Sequence, residues 1–252
     1  MKKPSTATLQ PVAADALAAK AQPALARLSI EHPKSLASIV EARLRDAIVN
    51  AELKFGQALP ESAVALGVSR TPMREALTRL EVQGLVTIVP KRGTFVFKPT
   101  VSDVQQLATF RLLLEVAALE ASLQNDKDGA LRALEASLRS MKTALKRNDT
   151  LAYATADSRF HETFFTHCGN SYLASAFRNV SGRVAALRAH LTVPRASEQV
   201  RSFAEHEAIV AAFAAGARRE IRQTLTGHIL RAKDVYAQAI LEDALPPASP
   251  TS

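Results

Sequence analysis

The 252-residue chain is 47% hydrophobic and 22% charged, which is long enough for two domains with sizeable cores and too apolar for disorder throughout. Its formal charge of +8 is uneven: residues 1–100 hold 14 Lys and Arg against 8 Asp and Glu, and the remainder holds 18 against 16, so the basic excess lies early in the chain, as a polyanion-binding portion requires. A single cysteine excludes an intrachain disulfide and points to a reducing cytoplasm, and no run nears the roughly 18 uninterrupted apolar residues of a membrane span.

Residues 1–33, rich in Ala with Pro4, Pro11, Pro23 and Pro33, read as a mobile, solvated arm with no signal-peptide core after Lys2-Lys3. From Ser35 to Asn50, Leu36, Ile39, Val40, Leu44, Ala47 and Ile48 keep helical periodicity behind a capping serine. Phe55-Gly-Gln-Ala-Leu-Pro breaks that helix before a short second one over 60–66. A third helix follows Gly67. Met73, Ala76, Leu77 and Leu80 give it one buried stripe at i, i+3, i+4, i+7, while Arg70, Arg74 and Thr78 share another face. Ser69 or Thr71 can cap its first turn, and Gly84 can end it in a left-handed conformation. Free amides at the start of a helix favour phosphate, and an arginine fork matches both acceptors of a guanine edge. Leu85-Val-Thr-Ile-Val and Thr94-Phe-Val-Phe then flank Pro90-Lys-Arg-Gly as a hairpin with a basic tip. A groove-sized basic helix followed by a basic wing is a winged helix-turn-helix.

Val68-Ser-Arg-Thr-Pro-Met-Arg-Glu-Ala-Leu, Arg79-Leu-Glu, Gly84-Leu-Val and Arg92-Gly-Thr-Phe-Val resemble the DNA-binding domain of GntR-type bacterial transcription regulators. The resemblance implies a double-stranded operator as partner. Arg70 and Arg74 would meet bases or nearby phosphates, Ser69 and Thr71 the backbone, and Arg45, Arg79, Lys91 and Arg92 further phosphates, with Gly93 letting the wing approach. The usual Pro-Gly turn stands here as Phe55-Gly56, and the stretch from Leu59 to Gly67 is shorter than the family pattern.

After a linker at Lys98-Pro-Thr-Val-Ser-Asp, six helices are expected, over about 101–124, 127–147, 150–168, 171–192, 196–216 and 218–242, punctuated by Asn, Asp, Gly or Pro. The fold class is thus mainly α: a winged helix-turn-helix over 34–98, an antiparallel bundle of about six helices over 99–245, and a tail over 246–252. Bundle cores are where facing helices build metal and ligand sites. Asp157 and His161 lie four residues apart on one helical face, and His206 and His228 lie in later helices among apolar residues. Such a set suits zinc, nickel, manganese or iron, although an Asp/His pair at this spacing is more often a surface hydrogen bond. Cys168 reads as a packed thiol rather than a nucleophile.

Arg111-Leu-Leu-Leu-Glu115, Asp157-x-x-Phe-His161 with Gly169-Asn170, Glu205-His206 and His228 are similar to the FCD effector-binding domain of the FadR-type branch, and the six-helix count looks more like its VanR subgroup. By that resemblance Asp157, His161, His206 and His228 bind a divalent metal, zinc foremost, and a small carboxylate effector completes its coordination. His32, His167 and His190 match no ligand position. Arg111 sits among Leu107, Phe110, Leu113 and Leu114, where an unpaired guanidinium is expensive, so it needs an anion. That anion is either Glu115 or a bound carboxylate, and the resemblance favours the carboxylate. Arg188 is a second candidate for the same pocket, and Asn170 either joins it or caps the fourth bundle helix. The expected function is a cytoplasmic, homodimeric, metabolite-responsive repressor. The alternatives are a metal-dependent enzyme with Glu162 or Glu205 as base, and an architectural DNA-binding dimer.

Overall fold

A computed structural model describes residues 35–59, 67–192 and 195–244. The arm over 1–33, with His32, the second helix over 60–66 and the tail over 246–252 lie outside the described residues. The first helix, α1 (Leu36–Val49), buries Ala37, Val40, Ala47 and Ile48. It packs on α2 (Arg70–Val82), whose buried stripe is the expected Met73, Ala76, Leu77 and Leu80. Ser69 stands at the N-cap position in extended conformation, but its side chain makes no capping bond, so the first-turn cap read from the sequence is backbone only. Gly84, at φ +66°, ends the helix as expected, with Leu85 N–H returning to Leu80 O at 2.9 Å.

Strands β2 (Val86–Val89) and β3 (Gly93–Val96) form the expected hairpin, paired Val89 to Gly93 at the tip and Val86 to Val96 at the base. The positive φ of Lys91 (62°) and Gly93 (109°) lets the chain reverse through Lys91-Arg92. A third strand, β1 (Ala58–Leu59), pairs antiparallel with β3 to give the order β1-β3-β2, so the segment read as a helix break also closes the wing sheet.

The helical half starts at α3 (Val101–Asn125), where Thr100 and Asp103 form a reciprocal capping box. Then come α4 (Lys127–Arg147), α5 (Thr150–His167), α6 (Ser171–Leu187), α7 (Ala196–Ala215) and α8 (Arg218–Ala244). Asp126, Asp149 and Asn170 accept from first-turn amides at the starts of α4, α5 and α6, and Gly216 at φ +68° ends α7. Asn170 caps α6: its Oδ1 accepts from Tyr172 and Leu173 N–H at the exposed end of its helix. The fourth bundle helix differs from expectation in its last turn: α6 stops at Leu187 and a π turn runs from Arg188 to Thr192.

Leu119, Leu134, Met141, Phe160, Phe164, Phe213 and Ile221 centre the bundle core. The winged-helix core of Ile48, Leu80 and Leu85 includes one residue from the helical half, Ala186 of α6. Cys168 is buried, its Sγ 3.2 Å from Phe165 O, a packed thiol as expected. No helix among the described residues is long and apolar enough to cross a membrane.

Leu134 is completely buried in the bundle core. Leu134→Ala is expected to lower stability by about 2–5 kcal/mol through lost burial and a residual cavity, measured by urea unfolding.

Candidate metal centre and nucleic-acid interface

His161 on α5, His206 on α7 and His228 on α8 are drawn together inside the bundle, all three buried. His161 Nε2 lies 3.3 Å from His228 Nε2 and 3.5 Å from His206 Nε2. The opposite nitrogens of two rings face carboxylates: His161 Nδ1 is 2.7 Å from Glu115 Oε2, and His228 Nδ1 is 2.8 Å from Glu205 Oε2. An ionised carboxylate only accepts, so each Nδ1 carries the proton and each Nε2 is left as a bare lone pair. Two lone pairs 3.3 Å apart in a buried core repel unless a cation lies between them. The donor set therefore fits a metal, and the carboxylate behind each imidazole is the arrangement that orients metal-binding histidines.

Asp157 lies beside this cluster, its Oδ1 3.5 Å from His161 Nε2 and its Oδ2 4.0 Å from His206 Nε2. Arg188 Nε approaches Oδ1 to 2.5 Å, but off the hydrogen-bond direction, so that oxygen accepts no hydrogen bond. Arg188 also donates through Nη1 to Ser158 Oγ at 2.8 Å.

The supporting shell is more extensive than the sequence suggested. Arg111 Nε donates to Glu115 Oε1 at 2.6 Å, so Glu115 joins Arg111 to His161, and the internal partner takes the place that the resemblance gave to a bound carboxylate. Arg111 Nη2 nevertheless stays buried without a hydrogen-bond partner. On the other side, Arg231 grips Glu205 with Nε and Nη2 at 2.6 and 2.7 Å and reaches Glu198 with Nη1 at 2.6 Å. The signals for this shell were present but weak: Glu198 and Glu205 share a face of α7 at i, i+7, and Arg231 follows His228 by three.

Burial pushes the His161 imidazole down to about 4 despite Glu115 beside it, and it pushes His206 far down with help from the charges of His228 and His161. Burial would raise Glu115, but Arg111 and His161 outweigh it and hold the carboxyl far below the usual range. Glu205 is likewise opposed by burial and still brought to about 2 by hydrogen bonds from His228 and Arg231. The neutral imidazoles of His161 and His206 and the ionised carboxylates of Glu115 and Glu205 are thus the favoured forms. Arg111, Asp157, Arg188, Arg231 and Tyr236 line a cavity against His228.

On the winged helix, Arg70, Thr71 and Arg74 are exposed along one face of α2, and neither arginine enters an ion pair among the described residues. Thr78 Oγ1 bonds back to Arg74 O at 3.0 Å. Lys91 and Arg92 project from the wing tip. Arg45 and Arg79 differ from these: Arg45 bonds Glu41 and Gln83, and Arg79 reaches Ser38 and Glu41 at 3.0 and 3.5 Å. Both are partly engaged in holding α1 against α2.

Comparison with known proteins gives these two sites a context. Residues 36–96 match the gntR family of bacterial regulatory proteins, and residues 106–231 match the FCD domain. An HTH-type transcriptional regulator from the TAR-I ttuE-ttuC' intergenic region of Agrobacterium vitis is 39% identical over 106 residues, 41% of this chain and 62% of that relative. An HTH-type transcriptional regulator in an unstable DNA locus of Streptomyces ambofaciens is 30% identical over 186 residues, 73% of this chain and 72% of the relative. Among solved structures, a GntR transcriptional regulator from Rhodococcus sp. RHA1 superposes with a TM-score of 0.70 at 25% identity, covering 83% of this chain and 99% of that one. The family and these relatives are transcription regulators rather than enzymes.

Among the described residues, the hydrogen bond of Glu205 to the cluster is the one to His228 Nδ1. Glu205→Gln is expected to weaken divalent-metal affinity roughly 10–100-fold without emptying the site, as read by competition against a chromophoric chelator.

Proposed function

The chain belongs to the gntR family of bacterial regulatory proteins and carries an FCD domain, and from that premise we propose a homodimeric, cytoplasmic repressor that releases its operator when a small organic acid binds at a metal in the helical half. The observation that carries the sensory part is the convergence of three Nε2 atoms, two of them with the far side of the ring on a carboxylate. Zinc is favoured because neighbouring ligands of a tetrahedral ion at roughly 2.0–2.1 Å stand about 3.3 Å apart, close to the 3.3 and 3.5 Å measured between ring nitrogens. When bound, the ion would supply the positive charge that the lone pairs require, and expansion beyond four ligands would admit a carboxylate beside the protein groups. Asp157 would be the fourth protein ligand, with Arg188 held against its other oxygen. Arg111 Nη2 would receive the acid, since a buried guanidinium donor without a partner favours an anion, and Arg188, which lines the same cavity, would be the second group within its reach.

Arg70 and Arg74 would read base edges from the major groove, and Ser69, Thr71, Lys91 and Arg92 would hold the phosphates, with two such domains on the half-sites of a near-palindrome. Arg45 and Arg79 would add phosphate contacts from positions already fixed by Glu41. Repression is supported by a relative named as the HTH-type transcriptional repressor RspR of Escherichia coli, 30% identical over 121 residues, 47% of this chain and 53% of that relative. Release would follow from linkage: an acid that binds better to the arrangement disfavoured by DNA lowers DNA affinity by the same factor by which DNA lowers acid affinity.

Metal analysis of protein purified without chelator or affinity tag is expected to give about one ion per protomer in the wild type and none in His206→Ala; equal metal in both would refute the site. With a duplex selected from a random pool by the wild-type protein, Arg74→Ala is expected to lose about 1–3 kcal/mol of specific binding while its circular dichroism is unchanged. Undiminished specific binding would remove Arg74 from the reading face.

A further inference from the structure

Helix α6 belongs to both halves of the molecule. Its first turns pack Phe177 and Val180 into the bundle core, and Ala186 near its end lies in the winged-helix core. The seat is tight. A Cβ built at Gly182 would meet Leu85 Cδ1 at 3.1 Å, so the helix backbone rests directly on a fully buried winged-helix residue. Densely packed contacts of this kind transmit displacement instead of absorbing it.

Beyond Leu187 the helix widens into the π turn Arg188–Thr192. Side chains two apart on a helical turn point to nearly opposite sides, and here the two sides are the two halves of the protein. Arg188 turns inward to Asp157 and Ser158, at the edge of the histidine cluster. His190 turns outward. Its Nε2 donates to the carbonyl of Ile48, in the last turn of α1, at 2.9 Å, and its ring stacks on Phe55 with centroids 3.9 Å apart and planes at 13°. Phe55 meets Phe97, just past the wing strand β3, edge to face at 5.0 Å. It also packs in the cluster of Val104, Leu187 and Tyr236, and Tyr236 lines the cavity beside His228.

We propose that the π turn Arg188–Thr192 transmits occupancy of the metal-and-effector pocket to the winged helix, with His190 as the positioning residue that couples Arg188 to Ile48 and Phe55. The inference rests on the metal-and-acid reading of the pocket. A cation that draws on Asp157, or an acid that takes the Arg188 guanidinium, changes the partner of Arg188. The next residue but one then shifts the end of α1 and the Phe55–Phe97 contact that supports the wing. π turns are often found at functional sites, and this one supplies a contiguous set of packed groups from sensor to reader.

Hydrogen exchange on the full chain tests this without knowing the acid, using zinc alone as probe. In the wild type, zinc loading of chelator-stripped protein is expected to change exchange over residues 44–55 about fivefold or more, the low end of an ordinary coupling. In His190→Ala, zinc should bind with wild-type affinity and protect α5, α7 and α8 as before, while residues 44–55 no longer respond. A metal-free arm is read beside it: Arg188→Ala should alter exchange over 44–55 in the wild-type background and leave it unaltered in the His190→Ala background. A zinc response over 44–55 that survives intact in His190→Ala overturns the proposal, as does an Arg188→Ala effect that is absent or independent of residue 190. Failure of zinc to bind the wild type would instead sink the metal reading, and the Arg188 arm would still decide the coupling. If His190→Ala unfolds the winged helix, seen as lost protection throughout α1 and α2, Phe55→Leu keeps the apolar contact, removes the stack and is read by the same criteria.

Discussion

Two imidazole lone pairs that face each other across 3.3 Å inside a buried bundle core, with the Nε2 of a third ring 3.5 Å from one of them, are a constraint on everything around them. They cannot turn away, because Glu115 and Glu205 hold the far nitrogens of two rings, and Phe160 lies against His206 with centroids 4.4 Å apart. Nor can they readily be protonated, because burial disfavours the charged imidazoles of His161 and His206. The carboxylates are secured in turn. Glu115 has Arg111, Glu205 has Arg231 and Asp157 has Arg188, so each buried negative charge carries its own guanidinium. Removing one member of such a pair leaves an uncompensated charge in the core, which is far more costly than the pair is stabilising. The four helices that bear these groups, α3, α5, α7 and α8, are thereby fixed relative to one another by electrostatics as well as by packing.

The winged helix divides its arginines by a similar logic. Glu41, only 14% exposed at its side chain, anchors Arg45 and Arg79 between α1 and α2. Those two charges are spent partly inside the domain, where they set the angle at which α2 is presented. Arg70 and Arg74 have no such anchor and extend from the exposed face, where a long side chain retains the freedom to adapt to a groove. The arginine-rich appearance of the segment thus covers two physical tasks, holding the helix and projecting charge from it.

Much of this was legible in the sequence because the punctuation is local. Asp126, Asp149 and Asn170 cap the helices they precede, and Gly84 and Gly216 end theirs at positive φ, so the bundle boundaries fall close to expectation. The stripe of Met73, Ala76, Leu77 and Leu80 is likewise a one-helix property. What could not be read is what joins distant segments. Glu115 meets His161 across 46 residues, and nothing near either position marks the pairing. The two-residue strand β1 exists only because β3 offers it an edge. The π turn hides in a run that keeps helical periodicity through Leu191, because a wider turn changes where side chains point without changing which residue types are suitable. Asn170 and Ser69 show the reverse case. Their residue types allowed more than one role, and geometry shows Asn170 capping its helix and Ser69 at a cap position without a side-chain bond.

Ala186 of the helical half is completely buried in the winged-helix core, and Phe55 of the winged-helix half packs with Tyr236 beside the cavity. The two halves therefore exchange a side chain across their boundary in each direction, and neither core can be repacked without the other. On the function proposed above, a ligand that favours one packing of the helical half would bias the setting of α2 and the wing. The relation would be reciprocal: DNA that selects one setting of the winged helix would change metal and acid affinity by the same factor that these ligands change its own. A chain held on DNA would for that reason be a different sensor from the same chain free in solution.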